Sequence, residues 1–238
     1  MRAFAAYRPV VEIGTGDIVG IDLVVEGTGA ADRPPAAGEA LADQHFLDRA
    51  FSEAAPILRA HPALKLSLPP IADHAALMRA TNTLRRVLPR FSVLPGQVVM
   101  AASCGIAAPS ELGAVFAAIR SAGMLLSLDG VDRGEGGGLM ALAHYQPDFI
   151  TISGDPAGVA GQAAEGLTIL SAIVNAAREL GVGVVVHAVA GPEEIERLRG
   201  IGITTATGPA FGPPLKAHAM AALVAAAAAA PEPEARVA

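Results

Sequence analysis

The stretch "YRPVVEIGTGDIVGIDLVVEG", residues 7–27, decides the fold because it sets the direction of the first two strands. Two apolar runs, 4–13 and 17–26, flank a short turn that contains two glycines. A glycine-containing turn between two strand-like runs is typical of a β-hairpin. We therefore predict that the first two strands are antiparallel.

Strand-like and helix-like segments alternate along the rest of the chain. Six more strands are predicted at 63–68, 97–102, 124–129, 148–153, 183–188 and 203–207. A helix is predicted through 40–58, where apolar residues recur every four positions, and Ser110 is the expected cap of a later helix that ends at Gly123. Further helices are predicted at 138–145, 167–180, 192–200 and 216–229. This order predicts an α/β fold, a TIM-like (β/α)8 barrel with an antiparallel first strand. We expect a single domain over residues 1–229 and a disordered tail at 230–238.

Composition excludes several classes of protein. The 238 residues are 52% hydrophobic, with mean hydropathy +0.46 and a net charge of −6. Lys and Arg form no basic stripe, which argues against nucleic-acid binding. The longest apolar run, 219–230, is mostly alanine and too short for a membrane span, and the N-terminus does not resemble a signal peptide. The single cysteine, Cys104, allows no intramolecular disulfide, so we expect a cytoplasmic protein. No cofactor is expected.

Functional side chains of such barrels follow the C-terminal ends of the strands. Asp22, Asp129 and His187 are predicted at one mouth, and two carboxylates with an imidazole are sufficient ligands for one transition metal. We favour the alternative, in which neighbours or water satisfy each of these polar side chains. A nucleophilic Cys104–His187 pair is disfavoured because strands four and seven lie far apart. The run "GEGGG", 134–138, matches no nucleotide-binding fingerprint and predicts a loop.

Five segments in order resemble the EAL domain family, the bacterial cyclic di-GMP phosphodiesterases. They are 7–27, "IRSAGMLLSLDG" at 119–130, "YQPDFITIS" at 145–153, "LGVGVVVHAVAGPEEIERLRGIGI" at 180–203 and "TGPAFGPPL" at 207–215. Among others, they are similar to the family patterns L-D-D-F-G, A-E-G-V-E and Q-G-x-x-F-x-x-P-L. The resemblance implies a barrel with an antiparallel first strand and a metal-dependent site at its mouth.

The same resemblance implies where the family's functional side chains would fall, and most are replaced here. Asp129 keeps the first Asp of D-D-F-G. The replaced positions are Asp22 (the Glu of E-A-L), Glu26 (a phosphate-contacting Arg), Ser67 (Asn), Ala101 and Cys104 (two Glu), Gly130 (the second Asp of D-D-F-G), Thr151 and Ser153 (Lys and Asp), and His187 and Ala190 (two Glu). The resemblance thus implies the remnant of a site, with no catalytic residue and no bound metal.

Hydrolysis with two metal ions needs a cage of carboxylates, and Asp22 with Asp129 supplies too little negative charge. We therefore expect an inactive regulatory module that binds a protein partner in bacterial signalling, in a pathway such as motility or the cell cycle. The alternative is a receptor that binds cyclic di-GMP without cleaving it, with Arg8 and Arg133 as candidate contacts. Because Glu26 would repel phosphates, we expect binding to be weak or absent. An enzyme with new chemistry is a third hypothesis, and the sequence leaves the oligomeric state open, a homodimer included.

Overall fold

The computed structural model describes residues 3–27, 36–103, 109–131, 138–153 and 165–229. Its strands β1 to β8 are Ala3–Glu12, Ile18–Gly27, Lys65–Ser67, Val98–Ser103, Leu125–Asp129, Phe149–Ser153, Gly183–His187 and Thr205–Ala206. In the described residues the helices α1 to α8 are Ala37–Ala42, Gln44–Ala60, His74–Val87, Pro109–Ser121, Gly138–Tyr145, Glu165–Glu179, Pro192–Gly200 and Ala217–Ala229. None of these helices combines the length and apolar character needed to cross a membrane.

The eight strands form a closed barrel in chain order. β1 is antiparallel to both of its neighbours, β2 and β8, while the remaining neighbours pair in parallel. The hairpin has the predicted form, with Arg8 opposite Asp22 and Gly16 at a φ of 84° in the turn. The TIM-like barrel and its reversed first strand are therefore confirmed.

Three details of the predicted elements are wrong. The helix expected over 40–58 is two helices, because Asp43 is extended and its carboxylate accepts a hydrogen bond from His45 N at 2.9 Å, which caps α2. Ser110 does not cap α4, which begins one residue earlier at Pro109, a residue suited to the first helical turn. β8 is two residues long rather than five.

Several predictions concern residues outside the described part of the chain. They involve Cys104, Arg133, most of the glycine run 134–138 and the tail 230–238.

Tyr7 connects the hairpin to the helical layer. Its side chain is completely buried, and its hydroxyl donates a hydrogen bond to Ala50 O in α2 at 2.8 Å. Burial, aided by the charge of Glu53, raises the pKa of Tyr7 above its ordinary value, so the phenol stays protonated and remains a donor. The Tyr7 backbone also exchanges two hydrogen bonds with Leu215, which precedes α8. One residue therefore joins β1, α2 and the C-terminal segment.

We expect Tyr7→Phe to lower the free energy of unfolding by about 1 kcal/mol, because it removes the buried hydrogen bond to Ala50 O. The ring and its packing are retained. Urea unfolding followed by circular dichroism measures the change. A loss below 0.3 kcal/mol would mean that water or another group replaces the hydroxyl.

Candidate functional site at the barrel mouth

Asp22 lies at the described mouth, in the middle of β2 and opposite Ser67, the last residue of β3. Its neighbour across the hairpin is Arg8, and His187 approaches it from the end of β7. The distance from His187 Nε2 to Asp22 Oδ2 is 3.8 Å. Asp22 is only 8% exposed, whereas the His187 side chain is 34% exposed. The mouth therefore holds a buried carboxylate beneath a more accessible imidazole.

Burial raises the pKa of Asp22 above its ordinary value. Four neighbours oppose this effect: the imidazole of His187, the Thr207 hydroxyl, the guanidinium of Arg8 and the Ser67 hydroxyl. Three buried polar atoms nevertheless lack a hydrogen bond of standard geometry to the described residues, namely Asp22 Oδ1, Arg8 Nε and Thr207 Oγ1. The carboxylate is thus held among groups that favour its charge without full hydrogen bonding.

The opposite side of the mouth contains Asp129, the last residue of β5, among small polar and apolar side chains. Ser127 Oγ and Thr151 Oγ1 lie 3.1 Å apart and share a buried hydrogen bond. Ala101 is also buried, on the adjacent strand. Gly130 follows β5 with a φ of 78°, and its N–H donates to Thr151 O at 3.1 Å. On the β4–β6 side, Asp129 therefore lies among uncharged groups from Ala101, Ser127, Gly130 and Thr151.

The loop after β7 is backbone-strained. Ala188 has a φ of 60°, a left-handed conformation that costs a residue with a Cβ atom about 1 kcal/mol. Gly208 packs against this loop so closely that an added Cβ would overlap the backbone of Val189. Two residues further on, Ala190 is exposed, and its N–H donates to Glu194 Oε2 at 2.8 Å. The loop thereby fixes His187 relative to α7.

The predicted trio Asp22, Asp129 and His187 comes together only in part. All three lie at the same end of the barrel, and Asp22 and His187 are in ion-pair contact. Among the described residues, no group of three or more His, Cys, Asp or Glu side chains is arranged to hold a metal ion. Mg²⁺ and Mn²⁺ prefer several oxygen ligands, whereas Asp22 here faces an imidazole and a guanidinium. The described mouth does not fit a divalent cation.

Comparison with known protein families identifies the family to which this barrel belongs. The EAL domain family matches residues 2–214, most of the chain. The chain belongs to the EAL domain family. Members of this family are cyclic di-GMP phosphodiesterases. No curated protein sequence matches the chain.

Solved EAL structures share the fold at low sequence identity. The EAL enzyme Bd1971, bound to cAMP and cyclic di-GMP, has a TM-score of 0.80 at 16% identity, covering 93% of this chain and 64% of that one. BlrP1 of Klebsiella pneumoniae, in complex with manganese and cyclic di-GMP, has a TM-score of 0.75 at 24% identity, with 91% and 57% covered. The EAL domain of Mycobacterium smegmatis DcpA has a TM-score of 0.78 at 18% identity, with 95% and 99% covered. This chain thus spans less than two thirds of Bd1971 and BlrP1.

The remaining EAL motif positions are distributed around the mouth. Ser67 ends β3 and lines the same cavity as Asp129, Thr151 and His187. Ser153 is the last residue of β6. Glu26 is half-buried near the end of β2, opposite Phe4, whose ring lies 4.1 Å from Lys216 Nζ.

Sequence reasoning missed Thr207 as a member of the site. It falls at the Gln of the family's Q-G pattern, so the match "TGPAFGPPL" contained the signal.

Substitution of Asp22 by Asn tests whether burial has the largest effect on the pKa of this carboxyl group. Because the folded-state pKa is raised above the unfolded one, ionised Asp22 destabilises the fold near neutral pH, and this cost disappears as the pH falls through the raised pKa. Asp22→Asn should therefore stabilise the protein more at pH 7 than at pH 4, measured by urea unfolding. A larger gain at pH 4 would show that attraction from His187 and Arg8 outweighs burial.

Ala188→Gly should raise the free energy of unfolding by about 0.5–1 kcal/mol, because glycine adopts the left-handed conformation without a steric cost. Ala190→Gly is the matched control, since Ala190 does not have a positive φ. The control should be neutral or destabilising by up to about 1 kcal/mol. Equal losses in both variants would contradict the assignment of strain to Ala188.

Proposed function

We propose that this chain is a catalytically inactive EAL domain, a single barrel of residues 1–229 that regulates a bacterial signalling pathway by binding a protein partner in the cytoplasm. The observation that carries the proposal is the environment of Asp22. At the position of the family's name-giving Glu, a buried carboxylate faces Arg8 and His187 rather than further carboxylates. This supports the proposal because a divalent cation would need further oxygen ligands beside Asp22.

The loss of turnover follows from the chemistry that remains. Two-metal hydrolysis requires ligands for both ions and an activated water between them. Ala101 and Gly130 contribute no ligand oxygen from their side chains, and Thr151 carries no charge at the position of the family's Lys. Asp22 and Asp129 cannot neutralise two divalent ions, so we propose that no phosphodiester is cleaved.

The alternative, a receptor that binds cyclic di-GMP without hydrolysis, has one specific observation in its favour. The buried Nε of Arg8 lacks a hydrogen-bond partner among the described residues, and a phosphate oxygen is a strong acceptor for such a donor. Against it, Glu26 places a negative charge where family members place a phosphate-contacting Arg. A like charge both removes an attraction and repels the ligand. We therefore favour the interaction module.

Purified protein should not linearise cyclic di-GMP with Mg²⁺ or Mn²⁺, because the described mouth offers no three-ligand group. Chromatographic separation of the cyclic and linear dinucleotides measures turnover. An active EAL phosphodiesterase assayed alongside verifies the conditions. Turnover that Asp129→Ala abolishes would refute the proposal of inactivity.

Wild-type protein should bind cyclic di-GMP weakly or undetectably in calorimetry, and Glu26→Arg should raise the affinity by about tenfold by replacing a repulsion with a charge-assisted hydrogen bond. Asp17→Arg makes the same charge change in the exposed turn at the opposite end of β2 and should have no effect. Tight wild-type binding that is insensitive to changes at Arg8, Glu26 and Asp129 would favour the receptor.

The interaction itself is tested by affinity capture from the source cells with wild-type, Glu26→Arg and Asp17→Arg proteins. A partner that docks over the mouth should be lost on Glu26→Arg and retained on Asp17→Arg, since only the first substitution changes the mouth. Capture that is unaffected by Glu26→Arg would place the interaction elsewhere on the domain.

A further inference from the structure

A cavity of about 370 Å³ runs through the inside of the barrel. At the C-terminal end it is lined by the mouth residues, including Asp129 and His187, and at the N-terminal end by Lys65, Val19 and Thr204. Between the two ends the lining is mainly apolar. The cavity therefore extends along the strands, well beyond the site at the mouth.

Small side chains at two lining positions leave room for the cavity. TIM-type barrel interiors are normally filled by layers of large branched side chains. Here the lining includes Ala101 of β4 and Ser127 of β5, whereas the space beside Gly183 is already filled by the Phe149 ring. Val185, in the middle of β7, remains partly exposed because its side chain faces this space.

The N-terminal end of the cavity is accessible, and its described lining carries one cation, Lys65, and one carboxylate, Glu12. Val19 at its rim is 39% exposed, and Thr204 is exposed as well. Lys65 is half-buried, and no described carboxylate lies within ion-pair distance of it. Glu12, at the same end, already accepts a hydrogen bond from Thr15 Oγ1 at 3.3 Å. An ammonium group next to an apolar channel is a complementary partner for an anion attached to an apolar chain.

We propose that the barrel interior binds an elongated apolar molecule that ends in a carboxylate, of the medium-chain fatty acid class, with the carboxylate paired to Lys65 and the chain directed toward the mouth. This inference is independent of the proposed function, because the head group binds at the end of the barrel opposite Asp22.

The size of the cavity agrees with such an occupant. An apolar cavity of about 150 Å³ stays dry and holds one benzene molecule. The present cavity is about two and a half times as large, which suits a chain of roughly eight to fourteen carbons. It also lies within the usual range of small-molecule sites, about 300–1,000 Å³.

Titration calorimetry with dodecanoate, below its micelle concentration, tests the proposal on the full chain. Lys65→Met retains the length of the side chain but removes its charge and should weaken binding by about tenfold or more. The matched control is Lys216→Met, the other lysine of the chain, which lies over the ring of Phe4 and should leave binding unchanged. Dodecylamine should bind more weakly than dodecanoate, and Glu12→Gln should not weaken dodecanoate binding.

Filling the cavity provides a second test. Ala101→Leu places an apolar side chain in the interior and should abolish dodecanoate binding while maintaining or raising the unfolding temperature. Ala226→Leu, the same substitution at an exposed position of α8, should change neither. Wild-type binding by Ala101→Leu, an unaltered affinity in Lys65→Met, or tighter binding of dodecylamine would overturn the proposal. If Ala101→Leu does not fold, the Lys65 and dodecylamine results decide alone.

Discussion

The pairing of β1 on both of its edges is the constraint on which the rest of this structure depends. A barrel closes when its last strand pairs with its first. Here β8 contributes only Thr205 and Ala206 to that pairing. β1 must therefore be held firmly by its other contacts, the long antiparallel ladder with β2 and the buried hydroxyl of Tyr7. The same ladder sets Arg8 opposite Asp22, so the closure of the barrel and the charge arrangement of the mouth share one set of hydrogen bonds.

The mouth shows how individual side chains set the electrostatics of a site on a shared fold. Catalytic cages of carboxylates are electrostatically unfavourable unless cations neutralise them. In this chain internal groups do part of that work: His187 and Arg8 lie near Asp22, and the Ser127–Thr151 pair is a neutral hydrogen bond. Burial nevertheless raises the pKa of Asp22, so these groups offset only part of the cost of its charge.

The fold could be predicted from the sequence because the relevant signals are local. The glycine turn and the alternating strands and helices each lie within short stretches, and their order predicts the barrel. The helix break at Asp43 was not predicted, because the apolar spacing of Phe46, Ala50 and Ala54 favours a continuous helix. The only signal against that pattern is one capping side chain. The meeting of Asp22 and His187 was predicted only as a common location, since their distance depends on strand tilt. The interior cavity was not predicted at all, because its volume depends on small residues from two different strands.

A closed barrel has a consequence for how another protein can recognise this domain. The first hairpin extends beyond its neighbouring strands, because β1 pairs with β8 only at Val11 and Glu12 and β2 pairs with β3 only over residues 20–22. Apart from the bridge of Tyr7 to Leu215, the outer edge of β1 before Val11 has no strand neighbour among the described residues. Recognition by strand addition, a common way of binding linear motifs, is therefore confined to this hairpin. Elsewhere on the closed sheet a partner has to engage helices, loops or the ends of the barrel, with a specificity that comes from side chains rather than from backbone ladders.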